Sequence, residues 1–177
     1  MSDVIQIPLI KSSTILESNF YSGRIFVKDL IDNAEFPRYE PGSKSIESGY
    51  QRAPKDNRVS AIKDRVRNDP ESMDSFITNI TVNVRSEAAE KSNIIKVKHG
   101  GEEYGHYIFN YIDDLGSFFL VDGQTRVMGI SLARSEARLK GESNIVEAID
   151  KSVVSITLSF TEDVYKEAYF LMEKISL

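Results

Sequence analysis

Four apolar residues in a row, Phe118-Phe119-Leu120-Val121, run straight into Asp122-Gly123, and a helix-like pattern begins at Gln124 or Thr125. This junction limits the fold more than any other stretch of the chain. A strand that is apolar on both faces has no side to offer water, so it belongs in the interior of a sheet covered on both sides. Asp122-Gly123 ends that strand. The helix that follows extends to Lys140, with Met128, Leu132, Ser135 and Leu139 on one side and Glu136 spaced to pair with Lys140.

The other segments supply the rest of the sheet and its cover. Val4 to Ile10 reads as a short strand ending near Pro8, and residues 11–23 are polar and expected to be irregular. Arg24-Ile25-Phe26-Val27 is a second strand, followed by a helical turn at Lys28 to Ile31. Residues 39–48, with Pro41, Gly42 and three serines, read as a loop. Val59, Ile62 and Val66 share one helical face, so a helix runs from Asp56 or Asn57, either of which can cap it, to Asn68, and Pro70 stops it. Phe76 to Val84 alternates and reads as a half-buried strand. Ile94 to Lys98 and Tyr104 to Tyr111 flank His99-Gly100-Gly101-Glu102 as a hairpin, and Asp113 to Gly116 is a turn. Val153 to Phe160 is a β-branched strand. Thr161 is placed to cap a last helix with the apolar stripe Val164, Ala168, Leu171 and Ile175. The expected class is α+β, with one mixed sheet and three main helices around it. A short N-terminal part, residues 1–23, is expected to precede one domain over 24–177.

Composition narrows the chemistry. The 177 residues, 41% hydrophobic and 28% charged, suffice for one domain with a full core. No apolar run reaches the ~20 residues of a membrane span. The first residues lack a basic stretch followed by an apolar core, so no secretory signal is expected, and the absence of cysteine suits a cytoplasmic location. That absence also removes disulfides, thiolate catalysis and zinc–sulfur sites, and two histidines cannot build a His-rich metal centre. A net charge of −5 argues against a general charge-driven DNA coat but leaves room for a local basic site.

The sharpest candidate site is Asp122-Gly123-Gln124-Thr125-Arg126. Gly123 admits backbone angles closed to other residues and lets a ligand come close. The first N–H groups of a helix and its dipole favour a phosphate or other anion. Thr125 offers a hydroxyl, and Arg126 can clamp an oxyanion with two N–H groups. Asp122 can hold that arginine, orient a water or bind a metal ion. The same five residues also suit an ordinary turn, since Asp-Gly is common there, Asp caps helices and a first-turn arginine is often solvated.

Phe119-Leu120-Val121-Asp122-Gly123-Gln124-Thr125-Arg126-Val127 resembles the signature of the DGQHR-domain family, which includes the DndB proteins of DNA phosphorothioate modification systems and is grouped with ParB and sulfiredoxin-like folds. Gly49-Tyr50-Gln51-Arg52 with Arg58-Val59 and Ile62 is similar to a second family segment, and the order of elements agrees over residues 24 to 175. The resemblance implies a ParB/sulfiredoxin-like mixed sheet. It also implies a nucleotide- or DNA-phosphate-binding module that serves as a regulator or accessory protein of a prokaryotic or phage DNA modification or defence system. The ligands it implies are Gly123, Gln124, Thr125, Arg126, Gln51, Arg52 and Arg58. The family's histidine position holds Thr125 here, which does not titrate near neutral pH, so the balance moves from hydrolysis toward binding. Family chains are longer, so the sequence is expected to be an N-terminal core.

The alternative is a metal-dependent nucleotide triphosphatase or nuclease at the same turn, with Asp122 as the catalytic residue that positions a metal ion or water, Arg126 stabilising the developing charge, and Mg²⁺ as cofactor. A nucleotide is the other cofactor expected at this turn. The expected partners are a nucleotide or DNA, other proteins of the modification system and a second copy of the chain, with no membrane. Arg52 and Arg58 can instead pair with acids such as Asp56 or Glu47. Arg58, Lys63, Arg65 and Arg67 make one helix basic, suited to phosphates or simply to solvent. His99 and His106 lack metal-ligand spacing. Tyr104, Tyr107, Phe109 and Tyr111 suit base stacking or, more commonly, sheet packing. Asp113 and Asp114 can join Asp122 around a divalent ion or face solvent.

Overall fold

The computed structural model describes residues 4–36 and 54–175. Eight strands form one mixed sheet: β1 (Ile5–Ile15), β2 (Ser18–Phe26), β3 (Ala34–Glu35), β4 (Ile80–Val84), β5 (Ile94–His99), β6 (Glu102–Tyr111), β7 (Phe118–Asp122) and β8 (Val153–Phe160). Their order is β3-β7-β4-β8-β2-β1-β6-β5. β3 runs parallel to β7 and β4 parallel to β8, and the other pairs are antiparallel. Seven helices lie among the described residues: α1 (Val27–Asn33), α2 (Asp56–Asn68), α3 (Met73–Phe76), α4 (Glu87–Asn93), α5 (Gln124–Leu139), α6 (Ser143–Lys151) and α7 (Val164–Ile175). The class is α+β, as the patterning requires. None of these helices is long and apolar enough to cross a membrane.

Residues 11–23 are not irregular. They belong to a hairpin in which Ile15 faces Ser18, and the two turn residues Leu16 and Glu17 both have positive φ. A two-residue hairpin turn of this kind normally uses Asn-Gly or Asp-Gly. Leu-Glu carries no such signal, and only pairing of β1 with β6 and of β2 with β8 fixes the strands on either side. Pro8 does not end β1, because it sits within the register against Ile108.

Two more expectations change. β4 is buried at every position, including Thr81 and Asn83, and the chain before it forms α3, so Phe76 to Val84 is not one half-buried strand. β7 is buried on both faces, since Leu120 and Val121 join separate apolar clusters, yet it lies second from the sheet edge, under the two-residue β3. On α5 the buried side is Val127, Ile130, Ala133, Arg134 and Ala137, and Leu132 and Leu139 are exposed. The Glu136–Lys140 pair forms at 2.6 Å. The last helix is capped by Asp163, whose Oδ1 accepts from the Tyr165 and Lys166 N–H groups, and Thr161 is buried below it. Its main anchor is Phe170, edge-on to Phe20, while Ala168 is buried and Leu171 partly so.

α5 sits directly on α2. A Cβ on Gly129 would fall 2.6 Å from Ile62 Cγ2, so this glycine lets the two backbones approach. Further along, Lys63 meets Glu136 at 3.0 Å and Arg67 meets Glu142 at 2.6 Å. The contacts advance in the same direction on both helices, so α2 and α5 run parallel with their N-termini at one end.

Candidate phosphate-binding turn

β7 brings Asp122 opposite Thr81, at the start of β4, and α5 starts two residues later. Gly123 takes φ 98° and ψ 11°, a left-handed conformation that disfavours a side chain. It is buried, and a Cβ there would stand 3.1 Å from Ile80 Cγ1. The strand therefore passes into the helix through this one residue, and the first N–H groups of α5 have no intrahelical partner.

The side chains of the turn are organised by one another and by the start of β4. Asp122 Oδ1 accepts the Gly123 N–H at 2.8 Å, and Oδ2 accepts from Arg126 Nη2 at 3.0 Å. Arg126 Nη1 donates to Thr78 Oγ1 and to the Asn79 carbonyl, the latter at 3.1 Å. Gln124 is 6% exposed, and its Nε2 has no hydrogen-bond partner. A buried donor left without an acceptor is costly, and such a group marks a place where an acceptor belongs. Val121, Asp122, Gly123, Gln124, Thr125, Arg126 and Leu171 of α7 line a shallow depression of about 190 Å³.

Arg58 lies on α2 one residue before Val59, whose carbonyl borders Gly129, so it belongs to the same end of the molecule as the turn. Its side chain is exposed and makes no hydrogen bond or ion pair with a described residue. Gln51 and Arg52, and the acid Glu47, lie outside the described residues.

Other sequence candidates are not gathered here. Lys63 and Arg67 are paired to Glu136 and Glu142, and Arg65 stacks 4.0 Å over the Phe76 ring, so most of the α2 cations are spent within the fold. Asp113 and Asp114 precede β7 and Asp122 closes it, which separates them by the length of the strand, about 15 Å. Among the described residues no three His, Asp or Glu side chains come together as a metal site. His99 and His106 do meet, ring centroids 5.9 Å apart across the β5–β6 hairpin. Phe109 and Tyr111 are buried, and Tyr107 packs edge-on against Tyr21, so these rings serve the sheet.

Sequence reasoning missed Thr78, Asn79 and Leu171 as parts of the site. Thr78 and Asn79 stand 48 and 47 positions before Arg126, with no local pattern that links them to it. It also missed the buried group at the far end of β4. There Asn83 donates to Glu167 at 2.5 Å, Arg85 grips the same carboxylate through two nitrogens, and Arg85 stacks on Phe119. This group fixes α7, and so the Leu171 wall, to the sheet. No family model matches the chain, and neither a curated protein nor a solved structure matches it.

Proposed function

We propose that the chain is a DGQHR-type, DndB-like module with a ParB/sulfiredoxin-like fold that binds the phosphate groups of a nucleotide or of DNA. In this reading it regulates or assists a prokaryotic or phage DNA modification or defence system. The observation that carries the reading is that one helix N-terminus, with its first backbone N–H groups, also carries the buried Gln124 Nε2, which has no hydrogen-bond partner, and the partly exposed Arg126 guanidinium. Each is a donor, and together they suit the several oxygens of a phosphoryl group. Thr125 adds a hydroxyl donor. Arg58 brings a second cation to the same end, and Gln51 and Arg52 precede it in sequence. The depression is small next to the ~300 Å³ or more of a drug-sized pocket, which fits a phosphate group better than a whole nucleotide.

The enzymatic alternative rests on Asp122 alone. That carboxylate is committed to the Gly123 N–H and to Arg126, and it belongs to no group of three His, Asp or Glu side chains among the described residues. Binding without hydrolysis is therefore the favoured reading.

Titration of the full chain with nucleotides and short DNA duplexes tests it. Wild type should bind at least one of them, and Arg126→Ala should lose about tenfold or more in affinity, the worth of a charge-assisted contact. Equal binding by the variant, or no binding by wild type, would remove the reading. Metal-dependent phosphate release that vanishes in Asp122→Asn would replace it with the enzymatic one.

A further inference from the structure

The Asp122 carboxylate already stands in the turn as an anion would. One oxygen takes the Gly123 N–H and the other takes Arg126 Nη2, the two kinds of donor that a bound phosphate would also seek. Both terminal nitrogens of Arg126 already have partners, since Nη1 donates to Thr78 and to the Asn79 carbonyl. The contact is closed but within reach of solvent, with the Asp122 side chain 40% exposed and that of Arg126 21%. The carboxylate also leaves the buried Gln124 Nε2 unanswered.

We propose that Asp122 is a built-in competitor that sets which anions the turn accepts. The inference rests on the phosphate-binding reading above. In the free protein Asp122 neutralises Arg126 and occupies its open side. A ligand must supply more charge and more acceptors than one carboxylate to displace it, and Asp122, being partly exposed, then turns out to water. Phosphate chains meet that requirement, while single weak anions do not. Asp122 is thus a specificity-determining residue rather than a ligand.

The test is calorimetric titration of the full chain with inorganic phosphate and with pyrophosphate, for wild type and Asp122→Asn. The variant keeps the size of the side chain and loses its charge. It should bind both anions about tenfold tighter, with the larger gain for inorganic phosphate, so that the preference for pyrophosphate narrows. Asp122→Ser, which keeps an acceptor near the Gly123 N–H, carries the same expectation should the asparagine variant fold poorly. Binding by the variant where wild type binds neither anion also supports the competitor. Equal or weaker binding by both folded variants, with wild type binding pyrophosphate, overturns the competitor and leaves the phosphate reading intact. Absence of binding in wild type and in both folded variants removes the phosphate reading, and the competitor with it.

Discussion

Arg126 and Arg134 lie on one helix about two turns apart, and both are paired to aspartate. Their surroundings differ. The Arg134 side chain is 5% exposed and bridges two acids, Asp32 at 2.6 Å and Asp150 at 2.5 Å, tying α1 and α6 to α5. Burial works against its charge, but the hydrogen bonds to Asp32 and Asp150 outweigh that and raise its pKa. Arg126 sits at the helix mouth, paired to one partly exposed carboxylate and held by Thr78 and the Asn79 carbonyl. Arg134 is therefore paired inside the molecule, between helices, and Arg126 is paired at a helix mouth within reach of solvent. A buried ion network between helices holds them together, whereas a partly exposed pair at a helix mouth is open to exchange with a ligand.

Substitutions can break this contrast. Arg134→Ala should have the largest effect on stability, about 3 kcal/mol in a denaturant titration, because it leaves two acids without their buried cation. A loss under 1 kcal/mol would show that the bridge does not matter to the packing. Gly123→Ala should cost about 2 kcal/mol, from positive φ and the contact with Ile80, and it should also weaken anion binding by tilting the start of α5. A fully stable variant would mean that the turn relaxes without the glycine. Arg126→Ala should cost no more than about 1 kcal/mol, since its ion pair is partly exposed, while binding is lost. If it unfolds the protein as Arg134→Ala does, the two arginines play one role and the comparison fails.

The smallest effect concerns pH and a third pairing on the same helix. Hydrogen bonds from Lys140 and Lys63 hold the Glu136 carboxyl down to about 2, below its ordinary value of 4.5. A carboxyl whose pKa is depressed by folding stabilises the native state above its ordinary value and ceases to do so as pH falls through the folded one. Thermal midpoints of wild type and Glu136→Gln should therefore differ at neutral pH and converge as pH falls from about 4.5 to about 2. A constant difference across that window would show that the charge is not the cause.

Much of this molecule is legible in its sequence wherever the signal is local. The span of α2, the β5–β6 hairpin, β8 and the strand–turn–helix at Asp122 follow from spacing, glycine and alternation. The β1–β2 hairpin was hidden because Leu16-Glu17 lacks turn chemistry. α4 and α6 are short, at seven and nine residues, and too brief to set a clear period. The buried side of α5 was misread because small residues and an arginine, Ala133, Arg134 and Ala137, fill it, while Leu132 and Leu139 look outward.

The sequence by itself determined that a strand apolar on both faces passes through Gly123 into a helix, with Arg126 in the first turn. Backbone sterics and helix periodicity act over a few residues and can be read in order. Only the tertiary structure decided what Arg126 touches, that Gln124 is buried without an acceptor, and that α2 brings Arg58 to the same end. Those outcomes depend on which distant segments the sheet register and the Gly129 crossing place side by side, and no local pattern encodes that pairing.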